Sequence, residues 1–189
     1  HENMDMSMAL PDRRIQIDAD PTANGRTYDC EDFLCGDAAF VLEQLADRLE
    51  GRLKPEAGYA AEVVDLKVRT IAAYKDMLGD YASFPDDLRA VMPRDALLVR
   101  DITLSGSTWG HRLFPIYDPR NNIYPVGAAI GPGLPMGIGA AIAASDGRKV
   151  VAMCGDGGFN MSLAELPTAA QENVDIVFLV MNDDFFRMQ

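Results

Sequence analysis

Two short apolar runs near the end of the chain constrain its fold more than anything else in it. Residues 149–154 (KVVAMC) and 175–181 (DIVFLVM) are almost continuously apolar and rich in Val and Ile. Runs of that length without polar alternation suit strands buried on both faces. Each ends at a polar break, Gly155-Asp156-Gly157-Gly158 after the first and Asn182-Asp183-Asp184 after the second. Between them the pattern predicts a helix from about Ser162 to Glu172. Strand, helix and strand in about 35 residues form a βαβ unit, whose strands must run parallel. A doubly wound α/β domain with a parallel sheet is therefore expected.

Upstream, the spacing predicts a strand at 14–18 (RIQID) entering a turn at Asp20-Pro21. Asp37 is placed to cap an amphipathic helix bearing Phe40, Val41, Leu45 and Leu49. One strand and one helix cannot close a core, so residues 1–50 read as the tail of a central α/β domain. Residues 51–60 read as a loop. Val64, Leu66, Val68, Ile71, Tyr74 and Leu78 then mark a helix with a broad apolar face, making 51–84 a linker plus helix. From Pro85 onwards the chain reads as a second domain, 85–189, cut short at its C-terminal end. Pro85 opens a short helix to about Val91, residues 96–99 form a strand, and a polar run follows at 103–108. Residues 127–145 begin as a Gly/Pro-rich loop and become a tightly packing helix.

Charge narrows the partners. The formal net charge is −12, from 17 basic and 29 acidic residues, and no basic run offsets it. That balance excludes nucleic acid and anionic membranes as partners. The apolar stretch at 134–144 is too short and too Gly-rich to span a bilayer. Three cysteines (Cys30, Cys35 and Cys154) make no C-x-x-C pair, and His1 and His111 are the only imidazoles. A structural zinc site is not expected, and a reducing, cytoplasmic setting is. The chain opens on His1, and no signal peptide is visible.

Ligands of a doubly wound sheet bind beyond the C-terminal strand ends, where both polar breaks fall. If the two strands are neighbours, Asp156 and Asp183 converge. Two hard oxygen ligands beside glycines that admit a phosphate suit a magnesium–diphosphate site. Ser162 and Glu165 have capping-box spacing, with Met161 and Leu166 as the hydrophobic staple, so the following helix is expected to aim its first amides at the phosphates. The ordinary alternative stands beside this: G-D-G is common at strand-to-helix turns, where the aspartate only caps. Pro167 is expected to kink that helix mildly.

The run GDGGFNMSLAELPTAAQENVDIVFLVMND resembles the G-D-G…N-N signature of thiamine-diphosphate (ThDP) enzymes, spacing included. It is most similar to the group of acetolactate synthase, benzoylformate decarboxylase and related 2-oxo-acid decarboxylases. GAAIGPGLPMGIGAAIAA resembles that group's G-x-G-x-x-P-x-A-I-G-A segment. IQIDADP with GDAAFVLEQL resembles the end of its central domain.

The resemblance implies ThDP and magnesium as cofactors and a small 2-oxo acid as substrate. Asp156 and Asp183 would ligate magnesium, with the Phe185 carbonyl as third protein ligand. Gly157 and Gly158 would offer amides to the diphosphate, with Thr103, Ser105 and Ser107 in the same region. Ile130 would prop the cofactor in its bent shape, and the Ala128 carbonyl would accept from the aminopyrimidine. Asp183 departs from the pattern by replacing the usual second asparagine, adding negative charge beside a diphosphate. The activating glutamate of the family belongs to a domain with no counterpart here, so this chain is expected to be inactive alone, as part of a longer enzyme. That parent is expected to be a homodimer or homotetramer, and its use of FAD stays open, as does the choice between carboligation and decarboxylation.

Two other functions remain in view. In an NAD(P)-binding oxidoreductase, 131–137 would be the phosphate loop and Asp156 the ribose ligand, although Pro132 and Pro135 make that turn awkward and Asn182-Asp183 is left idle. A non-catalytic structural or regulatory relative is the other. Singly, Ile130 suits a core, Gly131, Gly133, Gly137 and Gly139 suit close helix packing, and residues 103–108 suit a surface loop. Trp109 reads as packed and His111 as exposed.

Overall fold

The computed structural model describes residues 10–26, 28–54 and 56–182, and the backbone divides into two compact units, His1–Val63 and Val64–Gln189. In the first unit, β1 (Ile15–Asp18) pairs in parallel with β2 (Asp32–Cys35), Ile15 opposite Asp32 and Asp18 opposite Cys35. The second strand escaped the sequence reading because DFLC is short and bounded by polar residues. Between the strands, Asp20 caps a 3-10 turn at Pro21–Ala23 through the Thr22 amide. Helix α1 (Ala38–Leu49) starts where expected, with the Asp37 carboxylate accepting from the Phe40 amide at 3.1 Å. It buries little: Phe40 is 61% exposed, and Ala23 is the unit's one buried apolar residue among those described.

Helix α2 (Tyr59–Leu78) begins inside the stretch expected to be a loop. Its apolar stripe is largely bare, Val64, Leu66 and Val68 all being exposed. Next come α3 (Phe84–Val91), with Pro85 in its first turn where no amide is missed, and β3 (Leu97–Arg100). The polar run forms two single turns, α4 (Leu104–Ser107) and α5 (Trp109–Arg112). A two-residue strand, β4 (Asn122–Ile123), precedes α6 (Gly133–Ala143) and β5 (Val150–Gly155).

The expected single helix at 162–172 is absent. The chain instead turns into α7 (Asp156–Met161) directly at the strand end, passes a 3-10 turn at Leu163–Glu165, and continues as α8 (Leu166–Gln171). The capping box fails because its members bond elsewhere. Ser162 Oγ donates to the Gly131 carbonyl at 2.7 Å, and Glu165 Oε2 accepts from Thr168 Oγ1 at 3.3 Å. Met161, the expected staple, is exposed. Pro167 lies in the first turn of α8, where it removes no helical hydrogen bond and makes no kink. Asn173 leaves α8 at φ 49°, a conformation asparagine tolerates better than most.

Strand β6 (Ile176–Met181) completes a four-stranded parallel sheet in the order β4-β3-β5-β6. The β5–β6 register runs from Val150 opposite Ile176 to Gly155 opposite Met181, and an ion pair between Lys149 and Asp175 sits at the same level one residue earlier. Both faces are covered, as a doubly wound fold requires. On one side Leu97, Val99, Val150 and Ala152 pack with Ala140 and Ala144 of the α6 region. On the other, Leu98 and Val151 pack with Met92, Ala96 and Phe114. Strand β6 is less enclosed than its apolar sequence suggested, with Val177 54% exposed. Gly137 explains how closely α6 approaches: a Cβ there would lie 2.7 Å from Ala152 Cβ and 2.9 Å from Ile176 Cδ1.

Candidate functional site

The C-terminal ends of β3 and β5, the loop before α6 and the first turn of α7 meet at one rim of the second unit. Gly155 closes β5 and, lacking a side chain, provides no cap for the turn that follows. Asp156 is the first residue of α7 and half-buried, while Gly157 and Gly158 behind it are buried. First-turn amides have no partner within a helix, so this turn keeps donors for an outside acceptor. Asn182 follows Met181 at the neighbouring strand end, one residue beyond the pairing of Gly155 with Met181. Asp183 and Phe185 lie outside the described residues. Among the described residues, no three His, Cys, Asp or Glu side chains gather into a metal-sized group.

Several of the other sequence candidates gather at the same rim. Thr103 is buried, its hydroxyl capping α4 by accepting from the Gly106 amide at 2.8 Å. Its methyl would meet a Cβ at Gly155 at 3.3 Å, so Thr103 lies against the end of β5. Ile130 Cγ2 would come within 3.3 Å of a Cβ at Gly158. Ser105 and Ser107 lie on α4, half-buried, so residues 104–107 are a helical turn capped by Thr103, partly enclosed rather than a surface loop. Ala128 is exposed and holds φ at 57°, a left-handed conformation costing an alanine about 1 kcal/mol. Trp109 is buried and His111 exposed, as read from the sequence.

The glycines divide by function. Gly131 holds φ at 103°, which side chains resist. Gly133 and Gly137 permit close packing, whereas a Cβ at Gly139 would meet nothing within 4 Å.

The residue that sequence reasoning missed is Asp101, just past β3 and 1% exposed. Its carboxylate accepts from the amides of Ile102 at 2.8 Å and Gly131 at 3.0 and 3.1 Å, and from Gly133 as well. Burial raises its pKa above the usual carboxylate value, with the three amide bonds opposing the rise. Among the described residues no cation pairs with it. The Arg100 guanidinium turns instead to the Gly106 carbonyl and Asn122 Oδ1, at 2.7 and 3.0 Å, and lies over the Tyr124 ring. Beside Asp101, burial and the carboxylate's charge push the Cys154 thiol up to about 12, which keeps it protonated and inert. A clue was present in the sequence: an aspartate directly after a buried strand, ahead of a glycine-rich helix start.

Asp101 bears on the oxidoreductase alternative. A dinucleotide's pyrophosphate needs free amides at the start of the glycine-rich helix. Here the Gly131 and Gly133 amides already serve an internal carboxylate, which fills that position with negative charge.

Residues 105–189 match the family described as "Thiamine pyrophosphate enzyme, C-terminal TPP binding domain". Among curated relatives, the Pseudomonas aeruginosa protein named "Probable 2-ketoarginine decarboxylase" is 34% identical over 179 residues, covering 94% of this chain and 32% of that protein. The catabolic acetolactate synthase of Raoultella terrigena is 31% identical over 182 residues, covering 92% and 32%. The chain thus spans about a third of the length of these relatives. An X-ray structure of a Mycobacterium smegmatis protein described as thiamin diphosphate-dependent shares the fold, with a TM-score of 0.63 at 24% identity over 95% of this chain and 35% of that one.

Proposed function

We propose that this chain supplies the diphosphate- and magnesium-binding part of a ThDP enzyme acting on 2-oxo acids. The supporting observation is the parallel register of β5 and β6, with Gly155 opposite Met181. Neighbouring strands lie about 4.8 Å apart, so groups that follow both strand ends within a residue of one level can share a cation held at about 2.1 Å from each oxygen. Asp156, Asp183 and the Phe185 carbonyl are the proposed ligands, an all-oxygen set suited to magnesium. The amides of Gly157 and Gly158 would take the diphosphate, with Thr103, Ser105 and Ser107 beside it. The Ala128 carbonyl and the Ile130 side chain would meet the rest of the cofactor. When bound, the cofactor supplies an electron sink that lets a 2-oxo acid lose carbon dioxide. The chain's own residues bind it, orient it and keep its charged end on the metal. The 2-ketoarginine named for one relative is itself a 2-oxo acid, and both decarboxylation and carboligation begin from such a substrate.

Calorimetry of the chain with ThDP and magnesium tests the proposal. Heat should appear with the wild type and vanish in Asp156→Ala, while NADPH fluorescence stays unchanged on titration. Wild-type heat from Asp156→Ala sinks the reading.

A further inference from the structure

Asp101 is a buried charged group that the proposed function leaves unused, and it touches both halves of the candidate site. Its carboxylate holds the amides of Gly131 and Gly133, at the end of the loop that carries Ala128 and Ile130. A Cβ at Gly133 would lie 2.6 Å from Asp101 Cβ, and one at Gly158 would clash with Asp101 Oδ2. Gly133 and Gly158 must therefore be glycine to accommodate this one side chain. The neighbouring Ser162 hydroxyl ties the Gly131 carbonyl at 2.7 Å, so Gly131 is gripped at both its amide and its carbonyl. Burying a carboxylate without a cation is costly unless several donors meet it.

We propose that Asp101 is a positioning residue, whose carboxylate clamps the 128–131 loop onto the 155–158 turn and so pre-sets the contacts with the non-phosphate part of the cofactor. This rests on the ThDP reading. Without the clamp the diphosphate turn keeps its shape, but Ala128 and Ile130 must be ordered at each binding event, and affinity pays that ordering entropy. The loop begins with the strained φ of Ala128 and ends with the φ of 103° at Gly131, a conformation that relaxes once its anchor is cut.

The test compares two probes, magnesium–ThDP and magnesium–pyrophosphate, by calorimetry on the wild-type chain and on Asp101→Asn. The asparagine is isosteric and keeps the packing against Gly158, but turns a donor towards the Gly131 amide. The lost bonds are ones to a charged group, stronger than neutral ones, so ThDP binding should weaken about tenfold or more, equivalent to about 1.4 kcal/mol. Pyrophosphate binding should stay within about twofold of wild type. Equal weakening of both probes reduces Asp101 to general support and overturns the proposal, as does wild-type ThDP affinity in the variant. Should Asp101→Asn not fold, Gly131→Ala decides, because it keeps the carboxylate but displaces through its φ the amide that the carboxylate holds. That variant should give the same split between probes, and a wild-type ratio refutes the clamp. A wild-type chain that binds neither probe fails the ThDP reading itself, a result separate from any of these.

Discussion

The β1–β2 pair of the first unit and the four-stranded sheet of the second use the same parallel hydrogen bonding, but hold their residues by different means. In the second unit, Leu98 and Val99 are fully buried, and both faces of the central strands are covered by helices or packed loops. In the first, order is local and polar. Asp20 gathers the Thr22 amide, the Thr22 hydroxyl and Arg26, Asp37 caps α1, and Arg14 donates to the carbonyls of Asp29 and Pro11. Polar local bonds in water contribute little each, whereas burial accumulates with area. Secondary structure can therefore be well defined where a core is nearly absent, and the candidate site lies where the core is.

The largest expected effect tests that difference directly. Leu98→Ala removes a fully buried side chain from β3 and should cost about 2–5 kcal/mol in urea unfolding. Phe40→Ala on α1, with its ring 61% exposed, should change stability by less than about 0.5 kcal/mol. Similar losses at the two positions would break the comparison. Next in size, Asp37→Ala should cost about 1 kcal/mol of helix stability and show as faster amide exchange confined to the first turn of α1. A loss spread over the second unit would mean that the cap does more than its local geometry implies.

The smallest effect sharpens the polar side of the contrast. The Asp20 carboxyl is lowered to about 2 from 3.8, chiefly by the Thr22 side chain, then by the Thr22 amide and Arg26. A lowered folded-state pKa stabilises above the unfolded value, and the benefit is lost as pH falls from about 4 through about 2. Thr22→Ala should move the Asp20 titration, followed by carboxyl NMR shifts, back towards 3.8. No movement would show that the turn's amide and Arg26 hold the charge without the hydroxyl.

Where a signal is local, sequence reading and structure agree closely. The Asp37 cap, the Pro85 helix start, the β5 and β6 runs and their parallel pairing are set by side chains within a few residues or by the length of the crossover. The assignment of Asp156 to a strand-end turn was legible for the same reason, as was the family resemblance in the runs around it. Where two segments compete for one group, local reading fails. The capping box had the right spacing, but Ser162 found the Gly131 carbonyl 31 positions away. The helix consequently begins at Asp156, and the amides nearest the rim belong to 156–158.

The amino-acid sequence by itself therefore determined the fold class, the strand-end location of Gly155 and Asp156 and the family resemblance, because strand burial, crossover length and glycine spacing are written along the chain. Only the tertiary structure decided that Asp101 is the hub on which Gly131, Gly133 and Gly158 converge. A buried carboxylate is satisfied by whichever amides the fold brings to it, and beyond that of Ile102 these come from a segment about 30 residues further along.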